Sequence, residues 1–196
     1  MPNFKSVQIG ILIFLLVGLI FTTASALAYW QEVTISDTIT IGTIREGVDI
    51  EVNNITELDE SVRLVPEGRA MFVGDVEQIT LSYNVSVTRE LLNTVDLHII
   101  AHSVTIGDSD TYEHLVDIDI NSVDRETVMD IFNDTITVNI IVKLIEPIDE
   151  AEATLLSLPL THVNVEDSIE AYNAIKGQDI TFTLRFELQN KTEATE

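Results

Sequence analysis

Three histidines and a run of acids are the residues whose chemistry stands out in this chain. His98 and His102 lie four apart, with His114 close behind. Imidazole nitrogens at such spacings can ligate zinc, but a zinc site needs three or four converging ligands. The surrounding sequence alternates as a strand does, and strand residues i and i+4 stand about 13 Å apart. The histidines are therefore read as surface residues. The stretch "GDSDTYEHLVDIDINSVD" offers hard oxygen ligands in Asp108, Asp110, Asp117 and Asp119, with Asp124 beyond, and the cation such oxygens would take is calcium. It lacks the spacing and the glycine of an EF-hand loop, so solvated acids are the preferred reading and calcium the alternative. There is no His-Glu-x-x-His, no Gly-x-Ser-x-Gly, no phosphate-cradling glycine loop and no cysteine. No catalytic residue is assigned, and the chain is read as not an enzyme, with no cofactor beyond the calcium alternative.

Those residues sit in a chain of 196 residues with a formal net charge of −23. All 33 acidic residues come after residue 28, whereas Val7 to Ala28 carry no charge and Lys5 precedes them. The run "IGILIFLLVGLI" is the apolar region of a signal peptide. Ala24, Ala26 and Ala28 supply the small-x-small pattern that signal peptidase reads. Residues 1–28 are thus a cleavable leader, an uncleaved anchor being the alternative, since about 20 apolar residues span a bilayer. Signal peptidase is then a partner during export, and the membrane is one only before cleavage. The mature chain begins at Leu27 or Tyr29, and loss of Lys5 takes its charge to −24. A field of that sign repels nucleic acid and anionic lipid. An exported domain without disulfides is held by its core alone, and ~165 residues can bury enough surface for that. Sequons at Asn54, Asn84, Asn133 and Asn190 matter only in a host that glycosylates asparagine.

Period-two alternation dominates the chain after the leader. Val33, Ile35, Ile39 and Ile41 alternate with threonines and a serine, and Asp37 interrupts their apolar side. Val48–Val52, Ile79–Val87, Val116–Ile120, Ile136–Leu144 and Ile180–Leu188 repeat the pattern, while Val95–Ile106 obeys it less cleanly. About eight one-sided strands imply two antiparallel sheets packed apolar face to apolar face, a β-sandwich. Turns are expected at Gly68, Gly74, Gly107 and Gly177. Two stretches break the pattern. "SVDRETVMDIF" places Val128, Ile131 and Phe132 at helical spacing behind Ser122 and Asp124 as candidate caps. "EDSIEAYNAIKGQ" does the same with Ile169, Tyr172 and Ile175 behind Asp167 or Ser168, before Gly177. Both are expected to be short crossover helices. Residues 29–190 form the domain, and 191–196 a flexible tail.

The segment Ala28-Tyr29-Trp30, then eleven further residues and Gly42-Thr43-Ile44, resembles the N-terminal signature of the TasA/camelysin family. These are bacterial biofilm-matrix fibre proteins with archaeal bundling-pilus relatives. At the other end, "YNAIKGQDITFTLRFELQ" is similar to the family's last strand, with Asn173, Gly177, Ile180, Phe182, Leu184, Phe186 and Gln189 in the corresponding places. "RLVPEGRAMFVGDVEQ" is only loosely like the family's loop at that point. The resemblance implies that the Ala-aromatic pair ends a signal peptide and that Gly42-Thr43-Ile44 opens the first strand of the mature fold. It also implies a jelly-roll-like sandwich, secreted or at the cell surface, forming a homopolymer by donor-strand exchange. Residues 29–44 would be the donor segment, with Val33, Ile35, Ile39 and Ile41 as its anchors. Camelysin itself is classed as a cell-surface metallopeptidase. This chain shows no metalloprotease motif, so that activity is an alternative only, as is a monomeric surface domain that binds calcium.

Overall fold

The structure, a computed structural model, describes residues 35–42, 50–56, 62–87, 94–131 and 135–191. Among them, eight strands make two four-stranded sheets. The first sheet runs in the order β1 (Ile35–Gly42), β10 (Ile180–Asn190), β6 (Val95–Ile106), β8 (Glu126–Asp130). In the second the order is β2 (Ile50–Asn54), β5 (Gln78–Val87), β9 (Thr135–Leu144), β7 (Val116–Ile120). A two-residue pair, β3 (Arg63–Leu64) and β4 (Asp75–Val76), sits outside both. Alternation along the long strands turns Ile, Leu, Val and Phe inward on each sheet, and only face-to-face packing can remove both apolar faces from water. The result is an all-β, jelly-roll-like sandwich. Tyr83 of β5 meets Phe186 of β10 across the interior, ring centroids 6.0 Å apart. Leu97, Ile99, Ile118, Ile140, Val142 and Leu184 are wholly enclosed around them. Each such side chain contributes about 1.5–3 kcal/mol by burial.

Two features of the first sheet depart from the sequence expectation. Within the four-stranded sheets every pairing is antiparallel except one: β1 runs parallel to β10. The other is β8. The stretch from Ser122 to Ile131 is not a helix; its residues Glu126–Asp130 form a strand antiparallel to β6, and Phe132 lies outside the described residues. Thr127 and Met129 face inward, half-buried, and Ile131 is buried, while Glu126, Val128 and Asp130 are exposed. A short run with apolar residues at both periods fits helix and strand alike. Here the unpaired edge of β6 decided, because it offers this segment a ladder that helix propensity cannot match. Asn121 and Ser122, at φ 50° and 68°, make the tight turn that delivers it from β7.

The imperfect alternation of Val95–Ile106 also has a cause. His102 and Ser103 both face solvent, Ser103 has φ 54°, and the register with β10 shifts between Thr181 and Thr183. This is a β-bulge, which adds a residue and bends the strand. Beyond it, the turn after β6 closes on the turn before β10, where Gly107 N donates to Asp179 O at 2.7 Å. Gly107 has φ 62°, and a Cβ there would stand 2.9 Å from Gln178 Oε1. That side-chain end can swing away, so the backbone conformation sets the cost. Gly107→Ala is expected to lower stability by about 1–2 kcal/mol, read as a lower urea midpoint at unchanged slope.

The two short helices both lie in the β9–β10 connection, which passes from the second sheet to the first. Helix α2 (Ser168–Ile175) is where its sequence placed it, with Asp167 accepting from Glu170 N at 2.9 Å as N-cap. Helix α1 (Glu150–Leu155) is additional to the expected elements, although Asp149-x-x-Glu152 is a start signal, and Asp149 accepts from Glu152 N at 2.8 Å.

Candidate functional site

The most distinctive construction in the fold is the seam between β1 and β10. Eight residue pairs form it in parallel register, from Ile35 with Ile180 to Gly42 with Glu187. On the β10 side, Ile180, Phe182, Leu184 and Phe186 are buried in the core. On the β1 side, Ile39 lies opposite Leu184 and is partly buried against the same core. Of the expected anchors, Ile35, Ile39 and Ile41 fall on β1 and Gly42 ends it. Val33, Thr43, Ile44 and the cleavage residues Ala24, Ala26 and Ala28 lie outside the described residues, as does the apolar run of the leader.

The four sheet edges are not equivalent. Unpaired strand edges invite pairing with another chain, and charges blunt them. β8 carries Glu126 and Asp130, β7 carries Asp117 and Asp119, and both are only five residues long. β2, equally short, carries Glu51. β1 is eight residues of mostly Ile and Thr, with Asp37 its single charge. It is also bonded along one side only, and it precedes every other described strand in the chain.

The acidic candidates do not converge. Asp108 and Asp110 are exposed in the turn after β6, and Asp117 and Asp119 project from the outer face of β7. Asp119 pairs with Lys143 at 3.4 Å. Among the described residues no three His, Asp or Glu side chains are grouped to hold a metal ion. The histidines have separate neighbours: His98 faces Glu126 at 3.5 Å, His102 bonds Ser103 at 2.8 Å, and His114 bonds the Asn164 carbonyl at 2.9 Å.

A cleft of about 590 Å³ opens where the end of β9 meets the β9–β10 connection, between Glu77, His114, Lys143, Glu146 and His162. Sequence reasoning named no such cleft, and its walls come from segments far apart in the chain. Glu146 accepts a hydrogen bond from the Tyr172 hydroxyl at 2.5 Å and forms an ion pair with Arg69. Burial, and then the bond to Glu146, hold the Tyr172 phenol well above its ordinary value, while the hydrogen bond to Glu146 raises Arg69. Asn164 donates to the Glu146 carbonyl at 2.8 Å and accepts from Ile148 N at 2.7 Å. These contacts occupy Glu146 Oε1 and tie the connection to the sandwich.

Asp149 belongs to the same tie. Its carboxylate accepts from Ser168 N at 3.0 Å, from Glu152 N at 2.8 Å and from the Ser168 hydroxyl at 2.9 Å, so it caps α1 and holds the start of α2. Those bonds, the Ser168 amide first, lower its pKa. The stabilisation is therefore present above the unfolded carboxylate value of about 4 and is lost as pH falls through the depressed folded value. Asp149→Asn keeps an acceptor for the cap but does not titrate. Its stability is expected to fall less steeply than wild type below about pH 4, as urea midpoints across that range would register.

No family model, curated protein or solved structure matches this chain. Among the described residues, no helix is long and apolar enough to cross a membrane.

Proposed function

We propose that this chain is an exported structural subunit that assembles into extracellular fibres or pili by exchanging β1 between copies. The observation that carries the reading is the seam: an N-terminal, weakly charged edge strand held along one side, in parallel, by β10. In the single chain β1 lies on its own β10. In a polymer it would occupy the same eight positions on the β10 of a neighbour, with the same ladder. Because the contacts are the same in both states, exchange costs little in interaction energy, and concentration and tethering decide between them. A head-to-tail exchange of this kind grows a filament wherever its rotation does not close a ring. The leader fits the scheme, since a strand tethered at the membrane cannot reach a neighbour until it is cut. The resemblance of both chain ends to the TasA/camelysin family supports the same reading.

Charge sets when assembly happens. Copies carrying −24 after cleavage repel one another within a Debye length of about 8 Å at physiological salt. Electron microscopy of the mature chain, starting at Tyr29, is expected to show few fibres at neutral pH and low salt. Added salt, calcium or acidification from pH 7 towards 4 should promote fibres. A chain that stays monomeric under every one of these conditions is not a fibre subunit, and fibres indifferent to all of them would remove electrostatics as the control.

A further inference from the structure

Most of the exposed apolar side chains of this domain gather at one end of it. Bonds between connecting segments define that end. Ile145 N donates to Leu115 O at 2.7 Å, His114 Nε2 bonds the Asn164 carbonyl at 2.9 Å, and Gly107 N donates to Asp179 O at 2.7 Å. Arg69, in the loop between β3 and β4, joins them through its ion pair with Glu146. Met71, Phe72 and Val73 stand in that loop, and Leu155, Leu156 and Leu160 in the β9–β10 connection. They are six of the eleven large apolar side chains that are exposed among the described residues, with Val73 100% and Leu155 82% exposed. Scattered exposed leucines are ordinary, whereas runs of apolar residues at one place mark a contact surface.

The β3–β4 loop is built to present its tip. Asp75 Oδ2 accepts from Met71 N at 3.1 Å and from Phe72 N at 2.9 Å. Arg63 pairs with Asp75 at 2.9 Å and donates to the Val73 carbonyl at 3.2 Å. Polar bonds thus fix the backbone, and the tip keeps its shape without enclosing its side chains.

The course of the chain indicates what faces this end. β1 enters the first sheet here, because Ile35 is the register partner of Ile180, the first residue of β10. Only residues 29–34 separate Ile35 from the apolar run that ends at Ala28. Six residues reach at most about 20 Å. With the leader in a bilayer, this end is the one held beside the lipid. The far ends of the ten-residue strands β5 and β9 stand about 30 Å further out.

We infer that the end of the sandwich bearing Met71–Val73 and Leu155–Leu160 rests on the lipid surface while the leader is uncut, and that cleavage releases it. The inference rests on the reading of residues 1–28 as a membrane-inserted leader. Tethering raises the local concentration of lipid, so apolar tips too few to hold a free domain suffice for an attached one. The surface they fit is neutral lipid, because Glu67, Glu150 and Glu166 are exposed in the same connections and repel anionic headgroups.

The test uses the precursor with Ala26→Leu and Ala28→Leu to block cleavage, reconstituted in phosphatidylcholine vesicles. The chain has no cysteine, so a polarity-sensitive dye can be attached at Leu160→Cys or, at the far end of β9, at Thr135→Cys. The expected result is a blue-shifted dye shielded from an aqueous quencher at residue 160, and a water-exposed dye at residue 135. Phe72→Asp together with Leu156→Asp should raise quenching at 160 to the level seen at 135. Val128 is equally apolar and exposed but lies on β8, and Val128→Asp should leave the shielding unchanged. Urea midpoints of the corresponding mature chains exclude misfolding. Equal quenching at 160 and 135 in a precursor that resists carbonate extraction overturns the inference and leaves the leader reading intact. A precursor that carbonate releases ends both. A dye at 160 that is shielded in the mature chain without lipid, more so as protein concentration rises, also overturns the inference, by assigning the patch to a second copy.

Discussion

Removal of residues 29–42 from the mature chain is expected to abolish polymerisation and leave a core that binds a synthetic 29–42 peptide. In the intact chain β10 has β6 on one side and β1 on the other. Without β1, the edge of β10 loses eight paired residues, each ladder hydrogen bond being worth about 0.5–1.5 kcal/mol net. The peptide should restore them, and Ile39→Pro in the peptide should weaken binding, since proline fixes φ away from strand values and removes a donor. The chain contains no cysteine, so an introduced pair can report where β1 lies. Thr38 and Thr183 are register partners across the seam. With Thr38→Cys and Thr183→Cys together, oxidation of the monomer should cross-link within one chain, and oxidation of fibres should give a ladder of covalent multimers. Fibres that yield only internally cross-linked monomer, or fibres formed by the truncated core, would end the strand-exchange reading.

The largest loss of stability from one substitution is expected at Phe186. Its ring is fully enclosed, meets Tyr83 of the opposite sheet, and stands on the strand that bears β1. Phe186→Ala removes that burial and leaves a void between two sheets that cannot close independently, a cost of about 3–5 kcal/mol. Against a typical total of about 5–15 kcal/mol, that brings the domain close to unfolding. Combining it with Tyr83→Phe should show little coupling, since Tyr83→Phe keeps the aromatic contact, whereas Tyr83→Ala should couple by about 0.5–1.5 kcal/mol. Urea unfolding with unchanged slope is the measurement, and a loss under about 1 kcal/mol would mean that the sheets repack freely.

Alternation is a local property of the chain, and for that reason the strands from Ile79–Val87 to Ile180–Leu188 are legible in the sequence alone. The one-sided pattern dictates two sheets facing each other, and Asp167 with Gly177 delimits α2. Helix α1 carries an equally local signal in Asp149-x-x-Glu152, which the dominant strand pattern around it masks. Which edge bonds which strand is not written locally. The stretch around Val128 satisfies two periods, and only the free edge of β6 made it β8. The parallel direction of β1, the bulge at His102–Ser103, and the meeting of Arg69 and Glu146 with Tyr172 likewise join segments distant in sequence. Those choices are made by competition for unpaired backbone groups and enclosed polar atoms, which exists only once the sheets have come together.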